Sequence, residues 1–184
     1  DALKIMRLYK QLIIIILVSL FLSACSSSNS RYSMRHDAAP LRAPTELEMQ
    51  DAIVTQVIKS ASTTRPYEVL GKRYTPMLDE TGYSETGIAS WYGRKFHGYH
   101  TSNGEIYDMF AMTAAHKTLP LPSFVRVTNT ANGKSIIVRV NDRGPFHDNR
   151  IIDLSYAAAY KLGYHKYGTA EVKLEAITLA DTHA

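Results

Sequence analysis

The chain has 184 residues and a mass of 20.6 kDa, which suits one domain of ordinary size with additional segments. Hydrophobic residues make up 45% of it and charged residues 21%, so a wholly disordered chain is excluded. Its single cysteine excludes an intrachain disulfide framework and any multi-cysteine metal site. The formal charge of +4 falls to +2 when three basic residues and one acidic residue within residues 1–24 are set aside, so we expect no nucleic-acid partner.

Residues 1–24 have the pattern of a secretory signal peptide. Lys4, Arg7 and Lys10 precede an apolar run over residues 12–22, and small residues follow it. A helix of that length is too short to cross a hydrocarbon core of about 30 Å. The run therefore indicates a cleaved signal rather than a permanent membrane span.

The sequence Leu22-Ser23-Ala24-Cys25 resembles the lipobox of bacterial lipoproteins. In such proteins the cysteine is diacylated, the signal is cut before it, and the new amine is acylated. We therefore expect lipidation of Cys25, since several acyl chains hold a soluble domain at a membrane where one would be marginal. The alternative is that Cys25 is only a small apolar residue at the end of a signal. Ser26, where the retention rule would need Asp, indicates the outer membrane, facing the periplasm.

Residues 25–65 form the predicted lipidated cysteine and flexible tether. The segment is rich in serine after Cys25 and shows no periodic apolar pattern before about residue 45. Thr45 and Glu48 have the spacing of a capping box, which favours a short helix with Val54 and Val57 on its apolar side. Disorder, or docking on a partner, is the alternative for this stretch.

Residues 66–180 read as a mainly β domain, a small barrel of short strands with one or two short helices. Alternating or β-rich runs predict the strands; they are residues 67–69, 73–75, 88–92, 124–128, 135–140 and 170–176. Asn132-Gly133 lies between two of these runs and predicts a hairpin. The alanine-rich stretch 154–163 predicts a helix that ends at Gly163.

Three polar stretches inside this domain hold the candidate catalytic residues: 101–105, 113–117 and 141–146. Asp142 follows a buried strand and precedes a Gly-Pro turn, and Glu105 follows a glycine in a polar loop; acid–base chemistry at a glycosidic bond uses such carboxylates. From the residues alone, a stretch such as Asp142-Arg143 before a Gly-Pro turn is more often a structural ion pair and turn than a catalytic site. Glu105 is more often solvated surface, and His116 is more often a hydrogen-bonded core histidine. His97 and His100 are best read as loop histidines, so no metal site is indicated.

Six stretches in chain order are similar to the rare lipoprotein A (RlpA) family. They are Gly87–Gly93 (GIASWYG), Phe96–Gly98 (FHG), Thr101–Asp108 (TSNGEIYD), Thr113–Pro120 (TAAHKTLP), Val140–Phe146 (VNDRGPF) and Arg150–Ser155 (RIIDLS). Ser102 stands where the family usually has alanine, a minor departure. The similarity is dense over residues 87–163, looser over 66–180, and includes the lipobox.

The resemblance implies a double-psi β-barrel and a lytic transglycosylase. Such an enzyme breaks the MurNAc–GlcNAc β-1,4 bond of peptidoglycan glycan strands, preferring strands without stem peptides, and leaves 1,6-anhydro ends. Asp142, Glu105 and His116 match the family's catalytic positions. In the expected mechanism Asp142 protonates the glycosidic oxygen, and Asp142 or Glu105 takes the proton of the muramic 6-hydroxyl. The alternative is a non-catalytic, expansin-like glycan-binding lipoprotein of the outer membrane.

Trp91, Tyr92, Asn103 and Arg143 are the expected substrate-binding residues, with Trp91 and Tyr92 as a stacking platform for sugar rings. Core packing is an equal alternative for Trp91. Arg143 is expected to turn away from Asp142, toward Asp153, because a facing guanidinium would oppose an acidic role. No cofactor is expected. The membrane, through Cys25, and divisome proteins at the septum are the expected partners, although the sequence to Ala184 shows no C-terminal SPOR domain, the module that targets longer family members to the septum.

Overall fold

The computed structural model describes residues 4, 6–7, 9–10, 31–59, 61–147 and 149–182. Most of the predicted signal peptide and the predicted lipidation site, Cys25, lie outside these residues. Within the described part of the chain, no helix combines the length and the apolar character that a membrane crossing requires. Residues 1–33 and 34–184 are separate units, and the β-rich domain belongs to the second.

The described residues form eight strands and a short helix in the second unit. The strands are β1 (Tyr67–Val69), β2 (Lys72–Tyr74), β3 (Ser84–Tyr92), β4 (Thr113–His116), β5 (Ser123–Asn129), β6 (Ser135–Asp142), β7 (Arg150–Ser155) and β8 (Ala170–Ile177). Helix α1 spans Tyr156–Leu162, and a 3-10 turn spans Ala180–Thr182. The mainly β class with one inserted helix is therefore confirmed.

Six of these strands close into a barrel in the order β3-β7-β4-β6-β5-β8. The pairs β3·β7 and β4·β6 are parallel, and the other neighbouring pairs are antiparallel. Closure comes from β8, which pairs with both β3 and β5, so the barrel leaves no strand edge open. β1 and β2 form a separate hairpin whose turn places Leu70 and Gly71 at positive φ.

The barrel interior holds a continuous aliphatic core, because alternate residues of each strand point inward. Its fully buried strand members are Ala89, Ala114, Val125, Val127, Val138, Val140, Ile152, Leu154, Val172 and Leu174. A second cluster, which includes Tyr92, Tyr107, Met109, Ala115 and Tyr156, lies apart from it. Ala114 and Ala115 belong to different clusters, so β4 separates the interior from an outer, aromatic-lined face.

The predicted helix and hairpin are confirmed. Ser155 caps α1 by accepting a hydrogen bond from the Ala158 N–H, and Gly163 ends it in the left-handed conformation. Gly133 has a φ of 70°, as the predicted turn between β5 and β6 requires. The sequence analysis did not predict β4 and β7 as strands, although they lie in the middle of the barrel order.

Residues 34–59, here called the N-terminal strap, lie against the barrel. Ala52 N–H donates to the Ile137 carbonyl over 3.0 Å, and the Gly93 N–H donates to Asp37 Oδ2 over 2.7 Å. Lys59 forms an ion pair with Glu80. This part of the predicted tether therefore contacts the domain instead of extending freely from it.

The predicted helix within the strap is wrong. Thr45 and Glu48 do form the reciprocal contacts of a capping box, at 2.7 and 3.3 Å, but only a turn over residues 46–50 follows. Arg42 Nη2 forms an ion pair with Glu48 Oε1 over 2.6 Å. Residues 51–59 continue without helix or strand, because the backbone of Ala52 bonds to β6 rather than to a preceding turn.

Candidate active site

The polar loop of residues 101–105 is held against the end of β6. The Asn103 N–H donates to the Asn141 carbonyl over 3.4 Å, and the Thr101 N–H and carbonyl of Glu105 close the loop over 2.8 Å. The structure thus brings together two of the three polar stretches that the sequence analysis singled out.

Asp142 ends β6 beside an irregularity in its pairing with β4. Ala114 pairs with Val140 and Ala115 pairs with Asp142, so Asn141 is an extra residue, and such bulges re-aim the neighbouring side chains. Asp142 Oδ1 accepts hydrogen bonds from Ser102 N–H (2.8 Å), Ser102 Oγ (2.6 Å) and its neighbour's N–H (2.8 Å). Oδ2 has no hydrogen-bond partner among the described residues, and the side chain is half-buried.

Glu105 is held by three side chains. Arg139 Nη2 and Asn103 Nδ2 donate to Oε1 over 2.8 and 2.7 Å, and Asn141 Nδ2 donates to Oε2 over 2.8 Å. Burial acts to raise the pKa of Glu105, but these hydrogen bonds and the Arg139 charge outweigh it, and the pKa is lowered. Glu105 is thus an ionised carboxylate with its oxygens occupied, which does not suit an acid and leaves little basicity.

His116 is buried, and both of its ring nitrogens are engaged. Nδ1 accepts hydrogen bonds from the Thr118 and Leu119 N–H groups at 3.1 and 3.0 Å, so Nε2 carries the proton and donates to Tyr83 Oη over 2.9 Å. Tyr83 in turn donates to Glu85. Burial, with the charges of Arg143 and Lys117, lowers the pKa of His116 to about 3. Because both ring nitrogens are used in this way, His116 hydrogen-bonds neither Asp142 nor Glu105.

Arg143 turns away from Asp142, as expected, but the predicted direction is wrong. Its guanidinium donates to the carbonyls of His116 (3.1 Å), Leu119 (2.6 Å) and Thr63 (2.9 Å). These contacts use three of the five N–H donors of the half-buried guanidinium. Arg143 therefore fixes the backbone beside the site and has few donors left for a substrate.

Trp91 and Tyr92 are packing residues in this structure. Tyr92 is 8% exposed and stacks on Tyr107 with ring centroids 4.0 Å apart. Trp91 is half-buried, meets Tyr156 edge to face at 5.3 Å, and donates from Nε1 to the His165 carbonyl. An exposed stacking platform of these two rings is therefore not present, since the core-packing alternative holds for both. Asn103, the remaining predicted binding residue, is occupied with the loop and Glu105.

A second polar cluster, on β3 and β7, is not among the site residues predicted from the sequence. Asp153 accepts a hydrogen bond from Ser90 Oγ and lies 3.4 Å from Arg150 Nη2, and Arg150 Nη1 also donates to Ser90 Oγ over 2.6 Å. The Asp153 side chain is 16% exposed. The motif Arg150–Ser155 could have identified this cluster, because its two isoleucines favour a strand that carries Asp153. Within the described ranges, no group of three or more His, Cys, Asp or Glu side chains could hold a metal ion.

The closed barrel with its two parallel strand pairs has the architecture of a double-psi β-barrel, and residues 84–174 match the family DPBB_1, described as "Lytic transglycolase". Relatives named "Endolytic peptidoglycan transglycosylase RlpA" are 53–65% identical over 69–94% of the chain. The chain belongs to the RlpA family.

Three of these relatives come from different bacteria. The Vibrio cholerae protein is 54% identical over 94% of this chain and 64% of its own length. The Neisseria meningitidis protein (serogroup A) is 65% identical over 69% of this chain and 53% of its own length. The Pseudomonas aeruginosa protein (strain UCBPP-PA14) is 53% identical over 88% of this chain and 51% of its own length. The chain thus spans between 51% and 64% of the length of these relatives.

Proposed function

We propose that this chain cleaves the MurNAc–GlcNAc β-1,4 bond of peptidoglycan glycan strands as an endolytic lytic transglycosylase, and that strands without stem peptides are its preferred substrate. The observation that carries the proposal is Asp142: a half-buried carboxylate with one oxygen fixed by three donors and the other without a partner among the described residues. The relatives' printed name and the identity of 53–65% support the same chemistry.

The reaction needs two proton transfers and no water. The C1–O4 bond breaks with proton delivery to O4 of N-acetylglucosamine, and the muramic 6-hydroxyl closes onto C1 as it loses its proton. The three donors to Asp142 Oδ1 hold the carboxylate in place, and Oδ2, which has no hydrogen-bond partner among the described residues, is the oxygen that takes the hydroxyl proton. Loop 101–105 serves to hold Asp142 through Ser102, and Glu105 serves to hold the loop.

The test is digestion of peptide-free glycan strands, followed by mass spectrometry for 1,6-anhydro-muramic ends. We expect such ends with the unmodified chain and a loss of about 10²–10⁴-fold in rate for Asp142→Asn. The matched control is Asp51→Asn on the strap, which removes an ion pair with Lys161 of α1. Equal yields from Asp142→Asn and the unmodified chain would reject the proposal.

A specific observation favours the second candidate, a non-catalytic glycan-binding protein. Two of the three predicted catalytic residues, Glu105 and His116, have their polar atoms occupied by other protein groups. A protein of this second kind would co-sediment with glycan strands and leave them uncut, with Asp142→Asn binding them equally well.

We also propose that the chain is a lipid-anchored protein of the outer membrane, facing the periplasm, and that it works at the division septum with divisome proteins. The lipobox around Cys25 and Ser26 supports the anchor in the outer membrane. Membrane fractionation of the unmodified chain and Cys25→Ala tests the anchor: the variant should be released into the soluble fraction. Membrane retention of the variant would contradict lipidation of Cys25.

A further inference from the structure

Asp153 and Asp142 lie on the two strands that flank β4. Ala115 pairs with Asp142 on one side and with Asp153 on the other. Residues paired directly across strands point to the same face of a sheet, so the two carboxylates share the outer face. At about 4.8 Å per strand, their Cα atoms are about 10 Å apart.

The positions between the two carboxylates carry almost no side chain. Ala115 lies between them in register, and Gly144 lies over Ala115: a Cβ added to Gly144 would be 3.9 Å from that of Ala115. No bulky side chain at these two positions separates the carboxyl groups.

Tyr92 lies on β3 two residues after Ser90, which pairs with Asp153, so Tyr92 is on the same face of the sheet as that carboxylate. Burial, followed by the charges of Asp142 and of Asp153, raises the pKa of Tyr92 well above its ordinary value. Its buried hydroxyl lies beside that of Thr113, a contact that acts to lower the pKa, yet within the described residues neither oxygen has a well-formed hydrogen bond. The Tyr92 side chain is more than nine-tenths buried.

The surroundings of Asp153 differ from those of Asp142. Burial raises the pKa of Asp153, and the Ser90 hydrogen bond and the charges of Arg150, His147 and Lys117 offset only part of this. Tyr164, whose hydroxyl donates to the Ser90 carbonyl over 2.9 Å, also packs nearby. The groups that face Asp153 therefore come from β3, from β7, from the segments after β4 and β6, and from the segment after α1.

We infer that Asp153, rather than Glu105, is the second catalytic carboxylate of this barrel, acting as the proton donor opposite Asp142; the inference rests on the proposed glycan cleavage. Asp153 gives its proton to O4 as the C1–O4 bond breaks. Asp142 takes the proton of the muramic 6-hydroxyl as the O6–C1 bond forms. One proton is lost and one gained, and exchange with water restores the pair.

The experiment measures anhydro-muramic ends from peptide-free glycan strands against pH, using the full chain. We expect Asp153→Asn to lower kcat about 10²-fold or more with KM within about twofold. Asp153→Glu should recover part of the rate. Asp51→Asn should match the unmodified chain, and His147→Gln separates the contribution of that neighbouring histidine to the pH profile.

Three outcomes decide the matter. An Asp153→Asn variant that keeps the kcat and pH profile of an active unmodified chain overturns the inference and leaves the proposed function standing. An unmodified chain that makes no anhydro ends contradicts the proposed function and, with it, the inference. A loss of kcat with retained glycan binding supports both.

Ser90→Ala keeps the test decisive if Asp153→Asn does not fold. It leaves both carboxylates in place but removes the hydrogen bond that favours the ionised form of Asp153. Because the donor must be protonated, the alkaline limb of the pH–rate profile should move to higher pH. A purely structural Asp153 would leave that limb where it is, and an unmoved limb would overturn the inference.

Discussion

His116 makes the stability of the barrel depend on pH. Its pKa of about 3 in the folded protein lies below 6.5, the ordinary histidine value, mainly because the ring is buried. Between these pH values the unfolded chain binds more protons, so the free energy of unfolding should fall as the pH falls from about 6.5 toward 3. The slope from this one group is at most about 1.4 kcal/mol per pH unit.

Denaturant unfolding of the unmodified chain and His116→Gln at several pH values measures this slope. The difference between the two curves should be flat above pH 7 and should shrink on acidification, since glutamine takes up no proton. Parallel curves from pH 7 to pH 4 would show that the buried ring is not kept neutral by folding. Carboxylates such as Glu105 contribute equally to both proteins and cancel in the comparison.

The sequence identifies candidate site residues such as Asp142 and Glu105, but it does not show which groups each of them contacts. The predicted candidates Asp142 and Glu105 do lie on one loop–strand junction. The capture of Glu105 by Arg139 was missed because it depends on which residues share a strand face, and a register shift at Asn141 alters that face. Tyr92 was predicted to form a stacking platform with Trp91, but the sequence does not show that its ring stacks on Tyr107 in the core.

Among the elements, the strap depends on a position that tolerates only glycine. At Gly93 an added Cβ would overlap the Ala38 carbonyl oxygen. That carbonyl accepts a hydrogen bond from the Arg94 N–H over 3.0 Å, and Asp37 caps the Gly93 N–H. Gly93→Ala should therefore displace the strap near Ala38 while the barrel stays folded.

Hydrogen exchange followed by mass spectrometry checks this displacement. We expect faster exchange in the variant for the amides of residues 93–95 and for the Ala52 amide if the strap detaches as a whole. The amides of β5, which pair with β6 and β8, serve as the internal control and should exchange as in the unmodified chain. Unchanged protection at residues 93–95 would mean that the close approach at Ala38 relaxes without cost.

Strands and helices were predicted where the local sequence pattern determines them and were missed where pairing with other strands determines them. β8 alternates strictly between buried and exposed residues over much of its length, and α1 has its own cap and glycine stop, so both were predicted. β4 has four residues, Thr-Ala-Ala-His, all buried, and therefore shows no alternation. Its strand conformation comes from β6 and β7 on either side, which a local pattern does not reveal.

For the molecule as a whole, the same topology that closes the barrel also assembles the site. The parallel pairing of β4 with β6 and its antiparallel pairing with β7 place Asp142 and Asp153 on either side of Ala115, although β6 and β7 are far from β4 in sequence. The family resemblance predicted the barrel, but the barrel order is what relates these carboxylates. Stability of the core and geometry of the site are therefore coupled through β7.

Leu154 is the core position at which this coupling is most direct. It is fully buried, follows Asp153, and pairs with Trp91 on β3 and Ala114 on β4. Leu154→Ala should lower the free energy of unfolding by about 2–5 kcal/mol, because the cavity is closed in by strands on both sides. Thermal unfolding should then begin about 4–20 °C lower. Leu78→Ala, at an 80% exposed leucine, should stay within about 0.5 kcal/mol of the unmodified chain, and similar losses in both variants would contradict the stabilising role of the buried Leu154 side chain.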